Sequence, residues 1–565
     1  LAHTYGGVEL PRRFQVADTR ARKRRTLKGF AKALSGANTF VNQVRLEINF
    51  GRDELEYLPR EFSRLGLRER QKLAKMLSWG GLKSWGLDAF GVERLSSVMK
   101  FQKSKSQKFK STLNCDLDDS GEDEYDDNFV ESAKHGCPLV LIGWALLASP
   151  YSQLAMAKNV DDKDLIEVAY KAIKQRANTN KGNMAQRMME DAKNDGGGDT
   201  KGDNIQEEGG KKGEKPDQAE NTNPGKKVDD AWHGGYFLPD EFEVKPRNVC
   251  HFFRKVEKDY SPRSVNPYHN NIHAADVLQT THALIQMGGE DMALAYTPLE
   301  TYSIMLAAAL HDVKHPGNNN NYEVNKMTDL SLMYNDVSVL ENMHASRASY
   351  WLEGLDEKDK SKDAANESAN IVLRDGGPSS GMLGSMTKEQ RKALRASMIK
   401  SILSTDMSRH FSEVDKMRRH VEALEDDIVE SGKGSTTASF LNRIGGQKHA
   451  KPKEKFLPFL LHMADISNPT KPSKVSLEWA DAVYAEFFQQ GDKEAAEDLP
   501  ISPLCDRSTT NQPDSQLGFM NYVVKPAFLL LARMIPRTKE VVVRQLEENF
   551  EYWKNEQEKQ KDEKE

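Results

Sequence analysis

The stretch TYSIMLAAALHDVKHPGNNNN, residues 301–321, decides the fold class. Its first half is apolar with helical spacing, and it then reaches His311, Asp312 and His315 before a proline, a glycine and four asparagines. A charged carboxylate where the pattern predicts core is costly unless a partner neutralises it. A helix end with ordinary polar residues and helix breakers explains the stretch as well as a metal site does. Both interpretations stay open until other segments are considered.

Other segments carry the same helical spacing, and few stretches alternate with a period of two. They are KFLPFLLHMADI (455–466), SLEWADAVYAEFFQQ (476–490) and MNYVVKPAFLLLARMI (520–535). The sequence therefore predicts an all-α domain, interrupted by surface loops because loops tolerate insertions at little entropic cost.

The chain has 565 residues, of which 38% are hydrophobic and 29% charged, so it is polar for a globular protein. This composition predicts a folded core diluted by disordered polar inserts near residues 101–133, 176–235, 353–392 and 430–455. We expect a basic linker or regulatory segment at 1–80, a catalytic domain at 81–556 and a charged tail at 557–565. The formal net charge of -5 is too small to indicate a nucleic-acid partner.

The basic stretch TRARKRRTLKGFAKAL, residues 19–34, places Leu27, Phe30 and Leu34 on one helical face. Such a helix can bind calmodulin or a membrane surface, although a solvated linker helix is the commoner case. No apolar run reaches the roughly 20 residues that span a bilayer, and CPLVLIGWALLASPY from Cys137 is predicted to be a buried helix.

The four cysteines form no C-x-x-C pair, so neither a zinc finger nor a disulfide framework is indicated. A cytoplasmic, reducing setting is expected. Because the chain begins at Leu1, we expect a fragment of a longer protein, with a membrane anchor or further domain conceivable upstream.

Three polar groups indicate a metal site when they are taken together. His269 and His273 stand at i and i+4, which would put them on one helical face. Asp312 follows His311 directly and has two oxygens, so it could bridge two metals of a hydrolytic site. Asp465 ends a third apolar segment. Each group alone is explained by a half-buried helix or a cap, but together they offer nitrogen and oxygen ligands that suit Zn²⁺, Mn²⁺ or Mg²⁺ in an open catalytic site.

Six ordered motifs resemble the catalytic domain of the class I 3′,5′-cyclic-nucleotide phosphodiesterases. They are YHNNIHAADV (268–277), ALHDVKHPGNNNNY (309–322), LMYNDVSVLENMHAS (332–346), TDMSRH (405–410), HMADISNPTKP (462–472) and SQLGFMNYVVKP (515–526). The resemblance runs from about residue 82 to 554, and PLCDRSTT (503–510) looks most like the calmodulin-regulated branch. It implies a compact all-α domain with an HD-type site for two metals, the tight one usually zinc and the second usually magnesium or manganese.

The resemblance also assigns roles to residues, all of which we carry as expectations. His269 matches the general acid, and the ligands of the tight metal match His273, His311, Asp312 and Asp465, with Asp312 also touching the second metal. The substrate pocket is expected to include Tyr268, Met407, Asn468, Val483, Phe487, Gln516 and Phe519. Gln516 would bond the purine, while Phe519 would stack on the base opposite Val483. Supporting positions are expected at His315, Asn320, Glu341, His344 and Thr405.

Two positions depart from the pattern of the family. Lys314 stands where an acidic residue is usual, and Met343 replaces a histidine. Neither matches a metal ligand, so we expect activity to survive, with the strength of the second metal site in question.

The predicted reaction is hydrolysis of cyclic AMP or cyclic GMP to the 5′-monophosphate, which would end cyclic-nucleotide signalling. Asn468-Pro469 favours cyclic AMP slightly, although the calmodulin-regulated branch does not carry this pair. One alternative is another HD-type metal phosphohydrolase acting on nucleotides, which would not need Gln516 and Phe519. A non-catalytic sensor would instead be expected to lack a ligand or His269.

Overall fold

The computed structural model describes residues 57–97, 136–173, 236, 241–354, 381–431, 440–444 and 450–563. The described residues form helices and turns and contain no strand, which confirms the all-α prediction. Nearly all of them belong to one compact unit, Glu56–Ala169 with Thr222–Glu565. The other unit, Leu1–Leu55 with Tyr170–Asn221, contributes only residues 170–173 to the described part.

The first half of the described chain contains thirteen α-helices, and residues 163–173 and 241–242 are helical as well. The thirteen are α1 (Arg60–Ser63), α2 (Leu67–Met76), α3 (Trp79–Lys83), α4 (Ala89–Ser96), α5 (Pro138–Leu147), α6 (Ser149–Val160), α7 (Pro246–Asp259), α8 (Asn271–Met287), α9 (Gly289–Ala295), α10 (Pro298–Leu310), α11 (Asn320–Asn325), α12 (Asp329–Tyr334) and α13 (Val339–Glu353).

The second half contains α14 (Lys388–Ile402), α15 (His410–Ser431), α16 (Phe440–Ile444), α17 (Ala450–Asp465), α18 (Ser473–Ala496), α19 (Gln512–Phe519), α20 (Lys525–Met534) and α21 (Arg544–Asp562). Short 3₁₀ turns occupy Met407–Arg409 and Asn468–Thr470, and π-helical turns occupy Met520–Val524 and Lys539–Val543.

The core surrounds α8, which packs against α5, α10 and α17. Helix α5 is apolar throughout and buried along its whole length, as predicted for the segment that follows Cys137. Helix α10 begins with a capping box in which Thr297 and Glu300 each bond the other's backbone N–H, an arrangement that satisfies donors left free by the first turn. These buried helices hold the polar ends of α8, α10 and α17 together at one place.

No single described helix is long and apolar enough to cross a membrane. By length and composition α5 and α6 would pass only as a pair, and they meet at a bend of 115°.

The predicted segment boundaries differ in part from the described helices. The compact unit begins at Glu56, before the predicted boundary at residue 81, and Phe62, Leu73 and Leu82 are buried in one core cluster. Helices α14 and α17 begin inside the ranges predicted as the inserts 353–392 and 430–455. The inserts predicted at 101–133 and 176–235, and the basic helix at 19–34, lie outside the described residues.

Candidate metal centre and acid site

Three helix ends supply the residues of the predicted metal cluster. His273 lies in the first turn of α8, whose start is fixed by Asn270, because the Asn270 side chain accepts hydrogen bonds from the backbone N–H groups of Ile272 and His273. His311 caps the C-terminus of α10 with Asp312 directly after it, and Asp465 is the last residue of α17. Sequence-distant segments therefore meet at one site.

The ligand atoms of this cluster are packed at metal-ligand spacing. His273 Nε2 lies 3.1 Å from Asp465 Oδ1 and 3.3 Å from Asp312 Oδ2. His311 Nε2 lies 3.1 Å from Asp312 Oδ2, 3.4 Å from Asp465 Oδ1 and 3.3 Å from His273 Nε2. Four ligands at about 2.0–2.1 Å from a shared Zn²⁺ would stand roughly 3.3–3.4 Å apart in a tetrahedron. The residues therefore fit a divalent cation.

The orientation of the ligands supports the same conclusion. His311 Nδ1 is 2.9 Å from the carbonyl oxygen of Ala308, a bond that requires the proton on Nδ1 and leaves Nε2 free to bind a metal. Burial opposes a charge on Asp312 and Asp465, but the neighbouring His311 and His273 hold the pKa of both carboxyls well below the ordinary value. Both aspartates are thus available as anionic ligands.

Asp312 presents its two oxygens to different neighbours. Its Oδ2 faces His273 and His311, whereas its Oδ1 points towards His344, 3.8 Å from Nε2 of that residue. The backbone carbonyl of Val313 accepts from His344 Nδ1 at 2.8 Å. Burial lowers the pKa of His344 to about 4, so this imidazole is neutral and its Nε2 is not a proton donor.

His269 does not share a helix with His273, and this prediction was wrong. Asn270 adopts an extended backbone conformation as the N-cap, so α8 begins only at Asn271. His269 lies in the turn before the helix. The ring centroids of His269 and His273 are nevertheless 5.7 Å apart, because the turn folds back over the first turn of α8.

Glu486 on α18 holds His269, and sequence reasoning missed this residue. Its Oε2 accepts the backbone N–H groups of Tyr268 at 2.9 Å and His269 at 3.0 Å. Its Oε1 accepts a hydrogen bond from His269 Nδ1. Burial opposes the imidazolium charge, but Glu486 outweighs it and raises the pKa of His269 to about 9. Both nitrogens of the charged ring carry a proton, and Glu486 binds the one on Nδ1, so Nε2 is the donor that Glu486 leaves free. The only sequence signal was a carboxylate in the amphipathic segment 476–490, which resembles an ordinary solvated residue.

His315 packs on His269 from the other side. The two rings stack with centroids 3.9 Å apart, and His315 also stacks on His344 at 5.5 Å. Its Nδ1 accepts the backbone N–H of Gly317 at 3.0 Å. Burial and the charge on His269 lower the pKa of His315 well below its usual range. This neutral ring therefore fixes the plane of His269 without competing for its proton.

Of the remaining supporting positions, Glu341 lies on α13 and Asn320 bonds to it. Asn320 Nδ2 donates to both oxygens of Glu341, at 3.0 and 3.3 Å, and burial followed by the charge on Asp406 raises the pKa of Glu341 to about 7. Thr405 is buried, and its hydroxyl donates to the carbonyl of Ile402 at 2.8 Å. Their expected roles next to the metals stay predictions.

The residues of the predicted substrate pocket lie in two places. Asn468 Nδ2 donates to the hydroxyl of Tyr268 at 2.6 Å, and the Tyr268 ring lies 4.7 Å from both His269 and His273. These two residues therefore border the metal cluster. On α18 and α19, Gln516 Nε2 lies 3.5 Å from the Tyr484 hydroxyl, at the limit of a hydrogen bond.

Four further predicted pocket residues lie on α18, at the end of α19 and in the 3₁₀ turn at Met407–Arg409. Val483 and Phe487 are half-buried on α18, one turn apart, with Phe487 against the Tyr484 ring at 6.4 Å. Phe519 is half-buried at the end of α19 and packs on the core. Met407 is 44% exposed. Their roles in binding a base stay predictions.

Lys314 lies near a carboxylate that is not a member of the metal cluster. Its ammonium lies 3.9 Å from Asp259 Oδ1 at the end of α7, and Asp259 also accepts from Arg347 at 2.7 Å and from Trp351 at 2.6 Å. The backbone of Lys314 has a φ of +66°, a left-handed conformation that is costly for a residue with a Cβ. The position therefore constrains backbone shape more than local charge. Met343 lies beside His344 on α13, half-buried.

The comparison with known families agrees with this geometry. Residues 268–546 match the family described as 3′5′-cyclic nucleotide phosphodiesterase, a range that includes His269 and every residue of the metal cluster. Residues 268–546 therefore belong to this family, as the sequence motifs indicated. The family implies divalent metals, for which the cluster of His273, His311, Asp312 and Asp465 offers ligands.

Two curated relatives illustrate the match. The chain is 35% identical over 294 residues to the mouse (Mus musculus) dual specificity calcium/calmodulin-dependent 3′,5′-cyclic nucleotide phosphodiesterase 1B, covering 52% of this chain and 46% of the relative. It is 34% identical over 312 residues to a Drosophila melanogaster 3′,5′-cyclic-AMP phosphodiesterase, isoform F, covering 55% and 41%. The chain thus spans less than half the length of these relatives.

Among solved structures, the phosphodiesterase domain of a fusion protein from the choanoflagellate Salpingoeca rosetta is similar, with 27% identity and a TM-score of 0.45. The similarity covers 57% of this chain and 89% of that one.

Proposed function

We propose that this chain hydrolyses a 3′,5′-cyclic nucleotide to its 5′-monophosphate. The observation that carries the proposal is the adjacency of two elements, a set of nitrogen and oxygen ligands at metal spacing and a charged imidazole next to it. A cyclic phosphodiester needs both, because its phosphate must be neutralised while the 3′ oxygen leaves and takes up a proton. Membership of the family supports the same reaction.

The tight site would take Zn²⁺, since two imidazoles and two carboxylates are borderline ligands that suit this ion. The second site would take Mg²⁺ or Mn²⁺ beside Asp312 Oδ1, the carboxylate oxygen directed away from His273 and His311. When bound, such cations lower the pKa of water towards neutrality and offset the charge of a phosphate.

His269 would donate the proton that the leaving 3′ oxygen requires. Glu486 occupies Nδ1, so the transferable proton is on Nε2. With a pKa raised to about 9, His269 is charged at neutral pH and ready to act as an acid. His315 and Tyr268 pack on the ring at 3.9 and 4.7 Å, which limits its rotation and keeps the proton aimed at one position.

Cyclic AMP is the proposed preferred substrate, and the environment of Asn468 supports this choice. Asn468 Oδ1 is buried and has no hydrogen-bond partner among the described residues, which leaves an acceptor in need of a donor. Adenine offers an exocyclic amine as a donor, whereas guanine offers an oxygen acceptor at the same position. If the Asn468 side chain turned towards the site, it would present this acceptor to the base and favour adenine. One relative is named a dual specificity cyclic nucleotide phosphodiesterase and the other a cyclic-AMP phosphodiesterase.

Regulation by calmodulin is proposed for residues 19–34 on sequence alone, and one relative is named as calcium/calmodulin-dependent. Retention of the full chain on immobilised calmodulin with Ca²⁺, but not with a chelator, would support it, and no retention would remove it. A reducing, cytoplasmic location likewise stays a proposal.

The activity test uses the purified full chain with Mg²⁺, and separates cyclic AMP, cyclic GMP and their 5′-monophosphates by chromatography. We expect both to be consumed, cyclic AMP at the higher kcat/KM. His269→Ala should lower kcat by about 10²–10⁴-fold, whereas Asp481→Ala, an exposed position on α18, should leave it unchanged. Turnover of neither cyclic nucleotide, with turnover of nucleoside triphosphates instead, would refute the proposal.

A further inference from the structure

A cavity lies between α14, α15 and α17. Its volume is about 440 Å³, and apolar side chains form its floor, among them Ile399, Leu403, Met417 and Phe459. This size falls within the range of small-molecule sites, which are lined mostly by apolar groups with a few polar ones. None of the residues assigned to metal binding lines it.

Positive side chains surround this cavity in excess over negative ones. Among the described residues, its lining includes the cations Lys400, Arg409, Lys416 and Lys455, and Glu413 as the one carboxylate. Glu413 lies 2.8 Å from Lys416, 3.7 Å from Lys455 and 3.8 Å from Arg409. Three cations thus share one carboxylate.

The fourth cation is only weakly engaged. Lys400 lies 3.4 Å from Glu454, whose side chain is 69% exposed, and an exposed pair of this kind contributes little. Counting Glu454 with the lining, four positive groups face two negative ones, and the balance is positive.

The pKa of a histidine in the lining reflects the same positive charges. His420 lines the cavity, and its pKa is lowered by burial and then by the charges of Lys455, Arg419 and Lys451. Arg419 and Lys451 stand outside the lining, and Arg419 is paired with Asp415 at 3.2 Å.

We propose that this cavity binds an amphiphilic anion, a small molecule with an aliphatic or aromatic body and a terminal carboxylate or phosphate. The apolar floor removes the body from water, which is favourable in proportion to the area buried. The acid group then meets Lys416, Lys455 and Arg409 at the rim, where Glu413 alone leaves positive charge unpaired. A neutral molecule of the same shape gains only the first of these contributions, and a cation is repelled.

The probe for this site is 8-anilinonaphthalene-1-sulfonate, an anionic amphiphile whose fluorescence rises on binding, titrated into the full chain. The double variant Lys416→Glu/Lys455→Glu should weaken its binding by at least about tenfold, since both reversed charges face the acid group. The matched control Lys474→Glu/Lys554→Glu changes the net charge equally at two exposed positions and should bind as the parent does. Equal affinity in the two double variants would overturn the proposal.

A second variant keeps the charges and removes the space. Met417→Trp fills the floor and should also abolish probe binding, with the circular dichroism spectrum and melting temperature showing that each variant is folded. Unchanged binding in a folded Met417→Trp chain would place the probe elsewhere and contradict the proposal.

Competition identifies the acid group. Decanoate and decyl phosphate should displace the probe from the parent chain, and the stronger of the two indicates a carboxylate or a phosphate ligand. Decanol should displace it at least about tenfold less well, because it lacks the charge. Displacement by decanol as effective as by both anions would refute a charged ligand.

Discussion

The metal cluster and the candidate base pocket are built in different ways. His273, His311 and Asp312 are buried at helix ends, and their ligand atoms stand 3.1–3.3 Å apart. In the base pocket, by contrast, Gln516 makes only a 3.5 Å contact with Tyr484, and Met407 is 44% exposed. The metal cluster is therefore assembled by the core itself, whereas the predicted base pocket combines the buried Gln516 with half-buried and exposed side chains.

The largest effect should follow from removing a ligand of the cluster. Asp465→Ala takes away one of two carboxylates and should lower kcat/KM for cyclic AMP by at least about 10³-fold, because bound metals contribute several kcal/mol to such reactions. Zinc content measured by mass spectrometry should fall with it. Asp481→Ala serves as the control. If Asp465→Ala retained both its zinc and its turnover, Asp465 would not be a ligand of a catalytic metal, and the contrast between the metal cluster and the base pocket would not hold.

The next effect concerns pH and the carboxylate behind the acid. His269 must be protonated to donate, and Glu486 raises its pKa to about 9, so the parent should keep its rate until the pH approaches that value. In Glu486→Gln the opposing charge is lost and burial disfavours the imidazolium. The alkaline limb of the kcat profile should then move down by about one to three pH units.

The control for this profile is Glu478→Gln on the same helix, which loses an ion pair with Arg94 at 2.8 Å and leaves His269 untouched. If Glu486→Gln and Glu478→Gln share the alkaline limb of the parent, His269 does not supply the titrating proton.

A smaller effect is expected in the base pocket. Asn468→Ala removes both the unpaired acceptor and the hydrogen bond to Tyr268. The ratio of kcat/KM for cyclic AMP over cyclic GMP should fall by about three- to tenfold, in line with the loss of one hydrogen bond. The exposed Asn555→Ala should keep the ratio. A ratio that rises in Asn468→Ala would show that this side chain selects against adenine.

The smallest effect is predicted at Lys314, on the edge of the cluster. Lys314→Gly and Lys314→Ala both remove the charge near Asp259, but only glycine relieves the left-handed backbone at φ +66°. Thermal unfolding should find the glycine variant more stable than the alanine variant by about 1 kcal/mol. Both should keep cyclic AMP turnover within about threefold of the parent. A tenfold loss of turnover in both variants would mean that the charge of Lys314 does act on the metals.

The metal cluster was predictable because three of its four ligands stand at the ends of apolar segments. His311, Asp312 and Asp465 stand where the helical pattern demands core, and such positions are costly without a compensating partner. The all-α fold was predictable for the same reason, since the segments that became α10, α17 and α18 show clear helical spacing.

What could not be predicted depends on local geometry and on packing between helices. The i, i+4 spacing suggested one helix for His269 and His273, but the Asn270 cap starts α8 between them. Glu486 was missed because a carboxylate on an amphipathic helix is ordinarily solvated, and only the fold brings it to His269. The cavity between α14, α15 and α17 combines side chains of three helices in a way that no single segment reveals.

The most direct test of the account is removal and return of the metals in the full chain. After chelation and dialysis, the protein should hydrolyse no cyclic AMP, and Zn²⁺ with Mg²⁺ together should restore 5′-AMP formation in the parent but not in Asp465→Ala. Zinc bound per chain should rise in parallel with the recovered rate. Full cyclic AMP hydrolysis by the metal-free parent chain would contradict the claim that His273, His311, Asp312 and Asp465 form a catalytic metal centre.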